Sequence, residues 1–173
     1  ITTEMILTGN IDIELNDETY YFNTFKRSKL DTKPLADFHS YIKQLKNRGV
    51  ILALFSKNDF DNAKSGFNHP DSILKFSDFT VFKANWDIKT KNIYEIAQEI
   101  NIGLDSMVFI DDNPVERDFV RKEFAGIVSV PDIGDDITRY REILDASQLF
   151  NITSLSQEDK KRNDFYKNDK KRE

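Results

Sequence analysis

Residues 107–123 read MVFIDDNPVERDFVRKE, and their order of apolar and polar residues predicts the class of fold. The four apolar residues at its start predict a short strand that is buried on both faces. Two acids then end the strand, and Pro114 suits the first turn of a helix that runs to Glu123. A buried strand that leads at once into a helix is the repeating unit of a parallel α/β sheet.

The same alternation extends in both directions from this stretch. Apolar residues recur at helical spacing from Pro34 to Leu45, and Gly49 is a suitable residue just beyond the end of that helix. The apolar run VILALF follows directly and predicts a second buried strand. The pattern predicts further helices at residues 60–67, 88–100 and 135–146, and further strands at residues 79–82 and 127–130. The predicted fold class is therefore α/β, a Rossmann-like parallel sheet between helix layers in a three-layer sandwich.

The two ends of the chain differ from this regular middle part. Residues 1–32 form a divergent N-terminal segment, in which the alternation at 11–15 and the aromatic stretch at 19–25 predict a strand or hairpin. Residues 33–150 form the core, and residues 151–173 form a charged helix or linker. A start at Ile1 instead of Met suggests a piece excised from a longer protein.

The composition excludes several kinds of site. The chain of 173 residues is 39% hydrophobic, which suits one domain with a real core. The absence of cysteine excludes disulfides, thiolate zinc sites and a cysteine nucleophile. A net charge of −5 gives no reason to expect nucleic acid. No apolar run approaches the roughly 20 residues that span a bilayer, and no signal peptide is visible, so we expect a cytoplasmic protein without a membrane partner.

Polar residues follow the VILALF strand at the edge where parallel sheets bind ligands. Ser56, Lys57 and Asn58 stand there, directly before a predicted helix. A hydroxyl group and the free N–H groups of a helix start suit a phosphate. Ordinary capping of the helix by these side chains is the alternative explanation.

Two acids follow the MVFI strand at the same predicted edge. The carboxylates of Asp111 and Asp112 repel each other, and oxygen ligands of this kind suit Mg²⁺. Glu116 lies one helical turn further on and is a candidate additional ligand or orienting group. The alternative is an acidic cap on the helix that begins at Pro114.

Residues 82–89, FKANWDIK, contain the candidate cationic group. Lys89 stands at the start of a helix, where the helix dipole disfavours a positive charge, and such conflicts are expected at functional sites. Its rival is Lys83, and the alternative for both is a surface lysine. We expect Trp86 to be a packing residue.

The order of these groups resembles motifs II, III and IV of the haloacid dehalogenase-like (HAD) superfamily. The stretches LALFSKND, FKANWDIKTKNI and GLDSMVFIDDNPVERDFVR resemble its FkbH-like group, HAD phosphatase subfamily IIIC. With the similar tail LSQEDKKRNDFYKNDKKR, the resemblance covers roughly residues 35–172.

The resemblance implies Mg²⁺-dependent phosphatase or phosphotransferase chemistry, that is, a hydrolase or transferase. Several members act on a phosphorylated three-carbon acid and transfer its glyceryl group to an acyl carrier protein in polyketide biosynthesis. By motif matching, Ser56 and Lys89 are the catalytic residues that can be assigned, and they bind phosphate with Lys57 and Asn58. Asp111 and Asp112 lie at the metal, and Asp112 is the better candidate for direct ligation.

The sequence departs from the family pattern at two places. The family begins with a strand that ends in an Asp-x-Asp-x-Thr motif, and its first Asp is the nucleophile. Spacing from Gly49 puts that motif near residues 4–9, which read EMILTG, and the nearest mimic begins at Asp12. In addition, Phe55 replaces the cysteine that family members commonly carry before the motif II serine, so transfer through a thiol at this position is excluded.

Without the nucleophile, two functions remain open. One is an enzyme of the HAD type, and the other is a HAD-like binding or scaffold module that has lost turnover. A response-regulator receiver domain is a third alternative. It is disfavoured because Ser56 stands where the phosphorylated Asp of a receiver would be.

Overall fold

A computed structural model describes residues 4–8, 32–68, 70 and 72–151. Within these residues the chain forms a four-stranded sheet in which all paired strands are parallel. The strands are β1 (Glu4–Thr8), β2 (Leu52–Ser56), β3 (Val81–Ala84) and β4 (Met107–Ile110), in the order β3-β2-β1-β4. The predicted parallel α/β sheet is therefore confirmed.

Strand β1 is an inner strand of this sheet. Leu7 pairs with Leu54 of β2 on one side and with Ile110 of β4 on the other. The strand thus lies where the spacing from Gly49 places the first strand of the fold, although it carries no Asp. The predicted hairpin at residues 11–25 and most of the charged tail fall outside the described residues.

Five α-helices connect or flank the strands in the described part of the chain. The first helix ends before Gly49, which adopts a positive φ of 99°, a conformation that favours glycine. The predictions for residues 88–100 and 114–123 agree with the structure to within one residue. The helices are α1 (Thr32–Asn47), α2 (Phe60–Ser65), α3 (Lys89–Glu99), α4 (Pro114–Glu123) and α5 (Tyr140–Ala146).

Several predicted elements are shorter than expected. The strand predicted at residues 127–130 is a single parallel bridge between Ser129 and Val108. It does not extend because the next residue that could donate to β4 is Pro131, which has no N–H group. The helix predicted at 135–146 is divided into a 3₁₀ turn, Ile137–Arg139, and α5. The helix predicted at 60–67 ends at Ser65 and continues as a 3₁₀ turn.

The VILALF run is apolar throughout because both faces of β2 are covered. Leu52 and Leu54 belong to one hydrophobic cluster, which also contains Ile42 and Leu45 of α1. Residues of the opposite face belong to a second cluster with side chains of α3 and α4: they are Ile51, Ala53 and Phe55, together with Ile93, Ile96 and Val120. Burying one such large apolar side chain stabilises the fold by about 1.5–3 kcal/mol. In the described part of the chain, no helix is long and apolar enough to cross a membrane.

Candidate functional site

The loops that follow β2, β3 and β4 meet at the carboxyl edge of the sheet. Ser56 ends β2 and is buried. Its carbonyl group accepts a hydrogen bond of 3.0 Å from the backbone N–H group of Asn85, which follows β3. This bond places the turn before α3 directly beside the end of β2.

Lys89 and Asp111 form the central ion pair of this edge. The Lys89 ammonium group donates to Oδ2 of Asp111, and the two side chains are only 3% and 1% exposed. The other oxygen of Asp111 accepts the backbone N–H group of Asn113 at 2.8 Å. The Lys89 ammonium also lies 6.0 Å from the ring centroid of Phe55, the residue before Ser56. Lys89 thus connects the ends of β2 and β4.

Lys83, the rival lysine, has other partners. Its ammonium group lies 2.9 Å from Glu95 and 3.7 Å from Glu99, and both acids belong to α3. These contacts hold Lys83 against the side of α3. Of the two lysines, Lys89 is therefore the one that contacts Asp111.

Lys57 and Glu116 form a second ion pair at the same edge, with an N–O distance of 2.9 Å. Lys57 follows β2 and Glu116 lies in the first turn of α4, which follows β4. Because β1 lies between β2 and β4 in the sheet, this pair connects loops on either side of β1. The structure therefore makes Glu116 the partner of Lys57. Nearby, the side-chain oxygen of Asn58 accepts the backbone N–H group of Asp59 at 2.8 Å.

Asp112 is exposed, in contrast to the buried Asp111 beside it. Partial removal from water raises the pKa of Asp112, and the neighbouring Asp111 carboxylate raises it further. Both effects disfavour its negative charge in the absence of a cation. A cation close to Asp112 would reverse this preference.

The donor set of this edge fits Mg²⁺. Magnesium is commonly bound through one or two carboxylates, with water and substrate phosphate as the remaining ligands. Asp111 and Asp112 supply two adjacent carboxylates, although Asp111 is already engaged by Lys89. Within the described ranges, no cluster of three or more Asp, Glu, His or Cys residues is suited to hold a metal.

A nucleophilic carboxylate is missing from the described end of β1. The strand reads EMILT, and its only acid, Glu4, stands at the amino end. Asp12, the nearest mimic in the sequence, falls outside the described residues.

Arg117 is a site residue that the sequence did not reveal. Its side chain is 5% exposed, and one of its terminal nitrogens lies 2.9 Å from the carbonyl oxygens of both Asp111 and Asp112. The other terminal nitrogen donates a hydrogen bond of 2.9 Å to a carboxylate oxygen of Asp132. The sequence predicts that Arg117 lies near the start of α4. It does not predict whether the side chain of this arginine is buried or exposed. By contrast, the acceptor role of Asn113 at the start of α4, at 3.0 Å from the N–H group of Val115, follows the usual preference for Asn at helix starts.

The turn before α3 contains a further feature absent from the predictions. The side-chain amides of Asn85 and Asn92 exchange two hydrogen bonds of 2.9 and 3.0 Å, which stabilise the turn that presents Lys89. Trp86 at the tip of this turn is 73% exposed, so its predicted packing role is wrong.

The fold and its carboxyl edge together define a class: a parallel α/β domain similar to a phosphatase domain of known structure. In particular, the chain resembles the crystal structure of the N-terminal part of the protein BF1531 from Bacteroides fragilis, which contains a phosphatase domain and was solved in complex with Mg. The TM-score is 0.76 and the sequence identity is 35% over 88% of this chain. The presence of Mg in that crystal structure is consistent with the Mg²⁺ cofactor expected from the sequence.

The match covers 42% of that neighbour, so the chain spans less than half of its length. No protein-family model matches the chain. No curated protein matches it either.

Proposed function

We propose that this chain is a HAD-type, Mg²⁺-dependent phosphatase or phosphotransferase domain that acts on a phosphorylated small molecule. The observation that carries the proposal is the buried ion pair between Lys89 and Asp111, next to the exposed Asp112. The similarity to the phosphatase domain of BF1531 supports it. Parallel sheets bind ligands beyond the carboxyl ends of their strands, where these groups lie.

At the carboxyl edge of the sheet, one set of residues binds the phosphate and another set binds the cation. The Ser56 hydroxyl, the backbone N–H groups of Lys57 and Asn58 and the Lys57 ammonium bind the phosphate oxygens. Lys89 compensates the negative charge of Asp111 and of the phosphate. Asp111 and Asp112 hold Mg²⁺, which supplies positive charge to the phosphate oxygens when bound.

The covalent step needs a carboxylate nucleophile that bonds to phosphorus as the bond from phosphorus to the substrate oxygen breaks. It also needs a general acid that protonates this oxygen and a water molecule that then releases phosphate from the carboxylate. The sequence of β1, EMILT, contains no Asp at the carboxyl end of the strand to supply the nucleophile. Asp12 is the nearest mimic of the family motif in this sequence, but it lacks the hydrophobic strand that precedes that motif, so no nucleophile is assigned.

Hydrolysis of p-nitrophenyl phosphate by the full-length protein, with Mg²⁺ or with EDTA, tests the proposal. We expect turnover that requires Mg²⁺ and that Asp112→Asn lowers by about 10²-fold or more, since such ligands orient and neutralise the reacting phosphate. Asp105→Asn serves as a control, because Asp105 is an exposed acid in the 3₁₀ turn before β4. Turnover that survives both EDTA and Asp112→Asn excludes the metal role.

The second candidate function is a HAD-like binding or scaffold module without turnover. It is favoured by one observation, the lack of an Asp between Glu4 and Thr8 on β1. The two functions differ in their response to beryllium fluoride, which mimics a phosphoryl group on aspartate. A stable, Mg²⁺-dependent adduct supports the enzyme, and binding of phosphate without an adduct or turnover supports the module.

We further propose membership of the FkbH-like group, with glyceryl transfer to an acyl carrier protein in polyketide biosynthesis. The sequences of the motifs support this more specific function, because they resemble those of the FkbH-like group. Three large apolar side chains near the candidate site are also strongly exposed and offer a surface for a carrier: Trp86, Ile88 and Val115, at 73%, 58% and 73%. The Rossmann-like three-layer arrangement and a cytoplasmic location belong to the same proposal.

Mass spectrometry of a carrier protein incubated with the full-length protein and a phosphorylated three-carbon acid tests the transfer. The expected product is a carrier whose mass has increased by one glyceryl group. If phosphate is released and the mass of the carrier does not change, the protein is a phosphatase without glyceryl transfer.

A further inference from the structure

We infer that Arg117 is a positioning residue that fixes the Asp111–Asp112 loop in the orientation needed to bind a divalent cation. The inference rests on the proposed function, because it concerns the same site. It adds a residue that touches neither phosphate nor cation, and whose effect passes through the backbone of the two acids.

The geometry of the Arg117 guanidinium carries the inference. A single terminal nitrogen lies 2.9 Å from the carbonyl oxygen of Asp111 and 2.9 Å from that of Asp112. Two consecutive peptide groups are therefore held by one cationic donor. Because these peptide groups flank the Cα atom of Asp112, the bonds restrict the direction in which its carboxylate leaves the backbone.

Arg117 is itself held on two sides. Its backbone N–H group donates to the carbonyl of Asn113 at 3.1 Å, within the start of α4. Its second terminal nitrogen contacts Asp132 at 2.9 Å, in the segment that follows the Ser129 bridge. The side chain of Arg117 is 5% exposed and that of Asp132 is 75% exposed, so the contact with Asp132 faces water, whereas the contact with the Asp111 carbonyl is buried.

The charge of Arg117 matters as well as its shape. A guanidinium group is charged at all relevant pH values and spreads several donors over one plane. Placed behind two adjacent acids, it offsets part of their repulsion while leaving both carboxylates directed elsewhere. A lysine provides the charge but not the same fixed arrangement of donors.

Arg121 offers a matched control on the same helix. It lies one turn after Arg117, and it also donates to a backbone carbonyl, that of Val130, at 3.1 Å. It pairs with Asp118 at 2.8 Å. Of the two arginines, only Arg117 holds the Asp111–Asp112 loop in the described contacts, so loss of Arg121 should affect stability alone.

The experiment measures Mn²⁺ binding by electron paramagnetic resonance, with Mn²⁺ as a probe for Mg²⁺, in the full chain and in Arg117→Met, Arg117→Lys and Arg121→Met. We expect Arg117→Met to weaken Mn²⁺ binding by about 10- to 100-fold, as is typical for groups that orient metal ligands. Arg117→Lys should recover part of the affinity, and Arg121→Met should bind like the wild type. Circular dichroism establishes that each variant is folded at the temperature used.

The outcomes separate this inference from the proposed function. A wild-type chain that binds no Mn²⁺ overturns both. A wild-type chain that binds Mn²⁺, with a folded Arg117→Met variant of equal affinity, overturns the positioning role alone. If Arg117→Met does not fold, Arg117→Lys decides: weaker binding than in Arg121→Met supports the role, and equal binding refutes it.

Discussion

The Lys89 ammonium group and the Asp111 carboxylate join the start of α3 to the end of β4 in a contact that is almost completely buried. A buried charge that loses its partner is strongly destabilising, because neither water nor another ion replaces the lost interaction. The pair therefore contributes to the stability of the fold as well as to the candidate site.

Lys89→Met should lower the free energy of unfolding by about 3–5 kcal/mol, since it leaves the Asp111 carboxylate buried without its ammonium partner. Urea denaturation measures the change. The double variant Lys89→Met/Asp111→Asn should recover part of the loss because no unpaired charge remains. Lys91→Met is the control: Lys91 is on the same helix in an exposed pair with Asp87, and its loss should change the free energy of unfolding far less than the loss of Lys89. Equal effects of the two lysine substitutions would contradict a special role for the Lys89 pair.

Glu116→Gln should strengthen phosphate binding by about three- to tenfold, which corresponds to roughly 0.7–1.4 kcal/mol. The reason is that Glu116 neutralises Lys57, so a phosphate must replace Glu116 as the partner of that ammonium group. Isothermal titration with inorganic phosphate, with and without Mg²⁺, measures the effect.

Glu95→Gln is the control for Glu116→Gln, because Glu95 pairs with Lys83 on the side of α3. It should leave phosphate affinity unchanged. Weaker phosphate binding by Glu116→Gln only in the presence of Mg²⁺ would instead identify Glu116 as a cation ligand, the other role considered from the sequence.

Asp78→Asn should destabilise the fold at pH 7 and reduce its loss of stability in acid. Burial by itself raises the pKa of Asp78, but the Lys43 ammonium, the Lys75 N–H group and the Lys46 ammonium outweigh it and hold the pKa below its usual range. A carboxylate with a lowered pKa contributes stability above its unfolded pKa of about 3.9, and that contribution is lost as the pH falls through the folded value.

Unfolding by urea between pH 7 and pH 3 measures the contribution of Asp78. The variant should show a flatter decline than the wild type below about pH 4. Asp37→Asn, at an exposed acid on the helix that carries Lys43, should follow the wild-type curve. A parallel decline of Asp78→Asn and the wild type would show that Asp78 has no lowered pKa.

His39 should make folding sensitive to mild acid. Burial lowers the pKa of His39 to about 4. Its neutral form is favoured in the folded state, so the stability associated with it is present above the unfolded pKa of about 6.5 and is lost as the pH falls toward 4. The loss is about 3 kcal/mol at most, since one pKa unit corresponds to roughly 1.4 kcal/mol.

Proton NMR titration of the imidazole groups measures the His39 pKa directly, and His69→Gln assigns the signal because the chain has two histidines. His39→Gln should remove this part of the acid sensitivity. A His39 pKa near 6.5 in the folded chain would contradict the prediction.

The sequence predicted the regular part of the fold well because that part depends on local patterns. The MVFI strand and the helix from Pro114 to Glu123 have the predicted bounds, since an apolar run and a proline at a helix start determine local structure. The sequence does not show that the strand predicted at residues 127–130 pairs with β4 at Ser129 alone, because this pairing joins distant parts of the chain. Local propensity does not report such contacts.

The alternation of strands and helices, and the residue types at the carboxyl edge, follow from the sequence alone. Periodicity and turn residues reflect interactions between near neighbours, so they are visible in the sequence. The three-dimensional fold was needed to show that Lys89, and not Lys83, contacts Asp111, that Glu116 pairs with Lys57, and that Arg117 contacts the backbone of the two acids. These choices depend on which helix face packs on the sheet and which strands are neighbours, and that information arises only when distant parts of the chain come together.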